Sequence, residues 1–194
     1  MRPWARLAAS VWRAWGQCCL LAGQQRAAKV AFWRGLHAGG RGQARALASL
    51  AHLCAQQGSL GAALRWQRRA LAVAPDTAAH HYNLGYLLEQ RGDWHAAQQA
   101  FEAALALAPR LDQAWYGLGR ALAAQGRLEE ALAAQAENTR LQPLSPYGWT
   151  ELAVLQWTLG QAEAAHRTVE HLAGFEPRAA LALRQRLVAL EGRA

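Results

Sequence analysis

Apolar positions recur at i, i+3, i+4 and i+7 along most of the chain, as in Trp115, Leu118, Gly119 and Leu122, and in Ala97, Phe101, Ala104 and Leu105. That spacing places each set on one face of an α-helix. The runs are punctuated at a fixed period: Pro75, Pro109, Pro143 and Pro177 are 34 residues apart, as are Gly58, Gly92, Gly126 and Gly160, and Ala63, Ala97, Ala131 and Ala165. Units ending two residues after each proline occupy 44–77, 78–111, 112–145 and 146–179, and a more divergent one fits 9–42 with Gln43 inserted after it. A glycine stands at unit position 15 in all five, where the chain must turn and a positive φ is expected. Proline then stops the second run, because it cannot continue the hydrogen-bond ladder. Each unit therefore predicts a hairpin of two helices of about 12 to 14 residues, which need tertiary support in water.

Small residues mark where the helices approach. Position 8 is Gly16, Ala51, Gly85, Gly119 or Ala153, and position 20 is alanine in every unit (Ala28, Ala63, Ala97, Ala131, Ala165). Larger residues are expected to fill the spaces around them, with Trp12, Trp15, Trp115 and Trp149 in the core and His81 in an equivalent slot. Several departures read as drift at water-facing or capped repeats: Gln67, Gln135 and Val169 stand where Phe32 and Phe101 occupy position 24, and Asn138 and Leu172 replace alanine at position 27. Gly40 replaces the proline of the first unit, and Gly39–Gly42 is expected to be a loose junction. Beyond Arg178, Leu183, Leu187 and Leu190 share one face, which predicts a closing helix over 180–192.

This pattern resembles the tetratricopeptide repeat, over about 9–179 of the chain. The resemblance implies an all-α fold, an α-solenoid of stacked helix-turn-helix hairpins with a C-terminal capping helix, read as a single domain over 1–194. It also implies a concave groove lined by first helices that holds partner peptides. The carboxylate clamp of some chaperone-binding relatives is absent, since the single lysine, Lys29, lies on a second helix.

Composition is consistent with helices: 194 residues, 53% hydrophobic and 18% charged, with 6 prolines. No apolar run is long and uncharged enough to span a membrane. Three cysteines, two of them adjacent, imply no disulfide framework and point to a reducing compartment. The acid-free, arginine-bearing start also has the look of a transit peptide or interfacial helix, although a packed first helix accounts for it. Arginine preference over lysine and the alanine and glycine richness point to a GC-rich, bacterial source, and the reducing compartment to a cytoplasmic location, with the inner-membrane periphery as the variant.

No catalytic constellation emerges, so the chain reads as a non-enzyme with no cofactor, metal or small-molecule substrate. Gly117-Leu118-Gly119 lies within a helix, and Cys18-Cys19 lacks the spacing of a zinc site. Cys19 and Cys54 share packed position 11, and His166 and His171 are five apart, off a common face. Glu129, Glu130 and Glu163 sit near second-helix starts, where they suit the helix dipole.

Two surfaces remain as candidates. The first-helix face not used in hairpin packing carries Tyr82, Asn83, Tyr86, Glu89, Gln113, Tyr116, Arg120, Tyr147 and Thr150, with all four tyrosines of the chain among them. Tyrosine and arginine combine contact area with a polar tip. This is the expected peptide groove of a scaffold or adaptor, by analogy one serving assembly of an envelope, secretion or polysaccharide system. The second surface is basic. Residues 1–75 hold 11 Lys and Arg and no acid, against 10 basic and 13 acidic residues afterwards. Arg26, Lys29, Arg34, Arg65, Arg68 and Arg69 fall on second helices with Trp33 and Trp66 interleaved, behind Arg2, Trp4 and Arg6. The alternative function is thus a peripheral factor at the inner membrane or on nucleic acid, working through this basic half.

Overall fold

A computed structural model describes the backbone of residues 3–36 and 40–191, and side chains over 11–36 and 42–190. The expectations for Arg2, Trp4 and Arg6 lie outside the described side chains. Among the described residues the chain is all-α, with eleven helices and no strand. They are α1 (Pro3–Leu21), α2 (Gln25–Gly35), α3 (Gly40–Gln56), α4 (Leu60–Val73), α5 (Ala78–Arg91) and α6 (Trp94–Leu107) in one compact unit, Met1–Leu107. A second unit, Ala108–Ala194, holds α7 (Asp112–Ala124), α8 (Leu128–Leu141), α9 (Pro146–Thr158), α10 (Ala162–Ala173) and α11 (Pro177–Glu191). Consecutive helices pair as hairpins, and within each unit the second helix of one hairpin packs on the first helix of the next. This is the stacked-hairpin solenoid that the period predicts.

The turns follow from the glycines. Gly23, Gly58, Gly92, Gly126 and Gly160 have φ of 72°, 74°, 84°, 77° and 74°. The residue after each glycine donates its N–H to a carbonyl five residues back: Gln24 to Cys19, Ser59 to Cys54, Asp93 to Leu88, Arg127 to Leu122 and Gln161 to Gln156. This is the Schellman closure, which an L side chain at the glycine would strain. Gly40–Gly42 belong to the first turn of α3, so that part of the expected loose junction is helical. Pro177 opens α11 as its first residue, where a missing N–H is harmless.

Inside the hairpins, position 8 meets position 24. A Cβ on Gly85 would stand 2.7 Å from the Phe101 ring, and one on Gly16 would collide with Phe32. Phe32 and Phe101 are fully buried. Where position 8 is alanine, position 24 is smaller: Ala51 with Gln67, Ala153 with Val169. The departures at positions 24 and 27 are therefore built parts, not drift toward water. Gln67 is buried and donates to the His80 carbonyl at 2.7 Å, and Gln135 is buried and donates to the Tyr116 carbonyl at 3.2 Å. Asn138 is buried and donates to the Asp112 carbonyl at 2.9 Å. Leu172 joins Val169, Leu183 and Leu187 in the cluster that α11 seals.

Position 4 behaves differently from the expected core slot. Its rings are half-buried and reach the proline that closes the preceding unit. Trp115 Nε1 donates to the Pro109 carbonyl at 2.9 Å, Trp149 Nε1 to the Pro143 carbonyl at 2.8 Å, and His81 Nε2 lies 2.7 Å from the Pro75 carbonyl. A carbonyl only accepts, so His81 must carry its proton on Nε2. Trp115→Phe keeps most of the ring contact and removes the donor. It is expected to cost about 1 kcal/mol in chemical denaturation, and an unchanged midpoint would show the bond to be inert.

The first hairpin corrects two further expectations. Trp15 is 58% exposed. Its equivalent Leu50 is buried against Cys19, Ala28 and Phe32 of the hairpin before it, but among the described residues no hairpin covers the outer side of α1. Trp12 is half-buried, with the Arg34 guanidinium 4.5 Å above its ring.

Candidate functional site

Hairpin stacking aligns equal unit positions side by side, and position 9 shows the result. Gln17 of α1, His52 of α3 and Tyr86 of α5 all line one cavity of about 240 Å³ in the first unit. Position 6 adds Ser49 and Asn83, while Leu20 supplies apolar wall. The lining sets these polar side chains and Gln67 among alanines and leucines, and it holds no Asp, Glu, Lys or Arg. The polar side chains offer donors and acceptors suited to peptide amides and carbonyls, without fixing the sign of a partner's charge. Tyr86 is 47% exposed and presents both ring and hydroxyl.

Two of the four candidate groove residues on α5 do not line this cavity. Tyr82 is half-buried with its ring on Phe101, centroids 6.0 Å apart. Glu89 is only 7% exposed, because position 12 turns back toward the partner helix, and its carboxylate is withdrawn from the open surface. Burial also governs His80. Desolvation, with His81 and Arg45 nearby, holds its imidazole below the ordinary range.

The second unit has its own cavity, of about 450 Å³, lined by Tyr116, Tyr147 and Thr150 with Glu151, Leu183 and Arg186. The Arg120 guanidinium stands 5.8 Å from the Tyr116 ring, while Thr150 Oγ1 donates to the Pro146 carbonyl at 2.8 Å. Gln113 is exposed on α7. Glu151 and Arg186 escaped the sequence reading. Position 6 equivalence with Asn83 could have found Glu151, and Arg186 lies three residues beyond the buried Leu183, on the helix read only as a cap.

The histidines of the second unit are aromatic partners: His171 sits 4.3 Å from Trp149 and 5.7 Å from Phe175, and His166 5.6 Å from Trp157. Among the described residues no group of three or more His, Cys, Asp or Glu could hold a metal ion. Cys19 is buried, Cys54 half-buried and Cys18 exposed. Among the described residues no helix is long and apolar enough to cross a membrane.

Arg26, Lys29 and Arg34 of α2 and Arg65, Arg68 and Arg69 of α4 are all exposed. Trp33 meets Trp66 edge to face at 5.4 Å, and Arg69 stands 5.1 Å from the Trp66 ring. These two neighbouring second helices bring all six cations onto the backs of the first two hairpins.

Residues 44–77 and 82–146 match family models for the tetratricopeptide repeat, which together cover just over half of the chain. No curated protein sequence matches at a significant level. Solved structures do. PilF of Pseudomonas aeruginosa is 21% identical with a TM-score of 0.82, over 97% of this chain and 86% of that one. MamA from Desulfovibrio magneticus RS-1 is 20% identical, TM-score 0.77, over 88% and 96%. YrrB, described as having an unusual peptide-binding site, is 18% identical, TM-score 0.74, over 90% of each chain. At such identities the likeness establishes the fold.

Proposed function

The chain belongs to the tetratricopeptide-repeat family, and from that premise we propose that it is a non-catalytic scaffold that holds an extended segment of a partner protein along its first helices. The observation that carries this reading is the position 9 ladder of Gln17, His52 and Tyr86 around one cavity, with Asn83 beside it. A side-chain amide next to an exposed tyrosine can bond a peptide backbone while the ring covers a side chain. The peptide-binding site named for YrrB supports the same reading. Tyr116, Tyr147, Thr150 and Arg186 are assigned a second peptide contact in the C-terminal unit.

The test is selection of binders from a displayed random-peptide library by the full chain, followed by titration of the best synthetic peptide. Tyr86→Ala and Asn83→Ala are each expected to weaken it by about tenfold or more, with helicity unchanged. Failure to enrich any sequence, or affinity indifferent to both substitutions, would remove this site.

A further inference from the structure

The back of the first two hairpins is chemically unlike the rest of the molecule. On α2 the exposed row is Arg26, Lys29, Val30, Trp33 and Arg34, spaced i, i+3, i+4, i+7 and i+8 on one helical face. The opposite row, Ala28, Ala31, Phe32 and Gly35, is buried. On α4 the exposed row holds Arg65, Arg68 and Arg69. The two rows join through the Trp33–Trp66 contact, beside a cleft of about 350 Å³ walled by Leu36, Leu47 and Val73 and edged by Arg69.

No protein carboxylate neutralises these cations. Among the described residues none of the six has an ion-pair partner, and no acid exists before Asp76. In the second unit several arginines of α8, α10 and α11, or next to them, have acidic partners. Arg127 pairs with Glu130 at 2.6 Å, Arg140 with Glu137 at 2.8 Å, Arg167 with Glu163 at 3.8 Å, and Arg184 with Glu170 at 2.5 Å. Six exposed cations without a counter-charge, two of them (Arg34 and Arg69) also resting against the Trp12 and Trp66 rings, form a field that an extended anionic surface would satisfy.

We infer that this face docks on the surface of an anionic lipid bilayer. Charge alone would serve nucleic acid equally well, so the aromatic and apolar groups decide. Trp66 is already engaged by Trp33 and by Arg69, which leaves it poorly placed to stack on bases. Trp33, 47% exposed, and Val30, 53% exposed, stand between arginines instead. Tryptophan and short aliphatics beside Arg and Lys suit the headgroup level, where the rings enter the interface and the cations meet phosphate. This face and the Gln17–His52–Tyr86 cavity share no residue, so occupation of one does not consume the other. The inference does not rest on the peptide reading.

Co-sedimentation of the full chain with vesicles tests it. Phosphatidylcholine vesicles with about 30 mol% phosphatidylglycerol are expected to bind, phosphatidylcholine alone is not, and about 0.5 M salt should release the protein. Arg65→Glu with Arg69→Glu should weaken binding at least about tenfold, and Trp33→Ala should weaken it without altering the salt dependence. His95→Ala with Gln99→Ala, on the exposed side of α6, should leave it unchanged, as should Tyr86→Ala. Equal binding to neutral vesicles, or indifference to the arginine reversals, overturns the inference. Tighter binding to duplex DNA, RNA or polyglutamate than to anionic vesicles at equal ionic strength overturns it too.

Discussion

Phe101→Ala is expected to destabilise the N-terminal unit by about 3–5 kcal/mol, the range for a fully buried phenylalanine whose space cannot collapse. The ring is 1% exposed, lies over Gly85 and touches Tyr82. Gly85→Ala tests the same contact from the other side. Its Cβ would stand 2.7 Å from two ring carbons, and a rigid ring cannot fold away as a flexible side chain can. The single substitution should cost about 1–3 kcal/mol despite alanine's better helix propensity. With the ring gone, the added methyl has room. The double variant should therefore be clearly more stable than the sum of the singles implies, read by urea denaturation as a coupling energy. Strict additivity would show that the glycine is not there for the ring.

The second large effect concerns the closing helix. Leu183→Ala should cost about 2–5 kcal/mol, because Leu183 is 2% exposed in a cluster with Val169, Leu172 and Leu187. Stacked repeats communicate through nearest neighbours, so the loss should be local. Hydrogen exchange should accelerate in α9, α10 and α11 and stay unchanged in α3 and α4. Val188, 65% exposed on the same helix, supplies the control, and its replacement by alanine should move stability by no more than about 0.5 kcal/mol. Uniform acceleration across both units would contradict this picture of α11.

Much of this architecture was legible because it rests on local rules repeated five times. Glycine at position 15 accepts a positive φ at no steric cost, and the same Schellman closure follows wherever it occurs. Position 8 had to be small because a neighbouring helix is close, although the identity of the neighbour was not written in the spacing. Trp15 shows where the logic fails: a position is buried only if a hairpin lies against it, and α1 presents that side to solvent. Gln67, Gln135 and Asn138 failed in the opposite direction. A polar residue at a core position reads as drift until the backbone carbonyl that it bonds is known.

The candidate surfaces divide along the same line. The basic row was visible as charge, since α2 and α4 carry it at helical spacing with no acid in the first 75 residues. First-helix positions alone place Tyr86 and Asn83 on a common face, and both line the cavity, whereas Tyr82 of the same helix rests half-buried on Phe101 and Glu89 is buried.

The sequence by itself determined the helices, their turns and the repeat, because those depend on backbone sterics and on apolar spacing within a few residues. Only the tertiary structure decided which rings are covered, which amides bond which carbonyls and which equal positions meet around a cavity. Those outcomes depend on groups brought together from different helices, at distances and angles that no local pattern encodes.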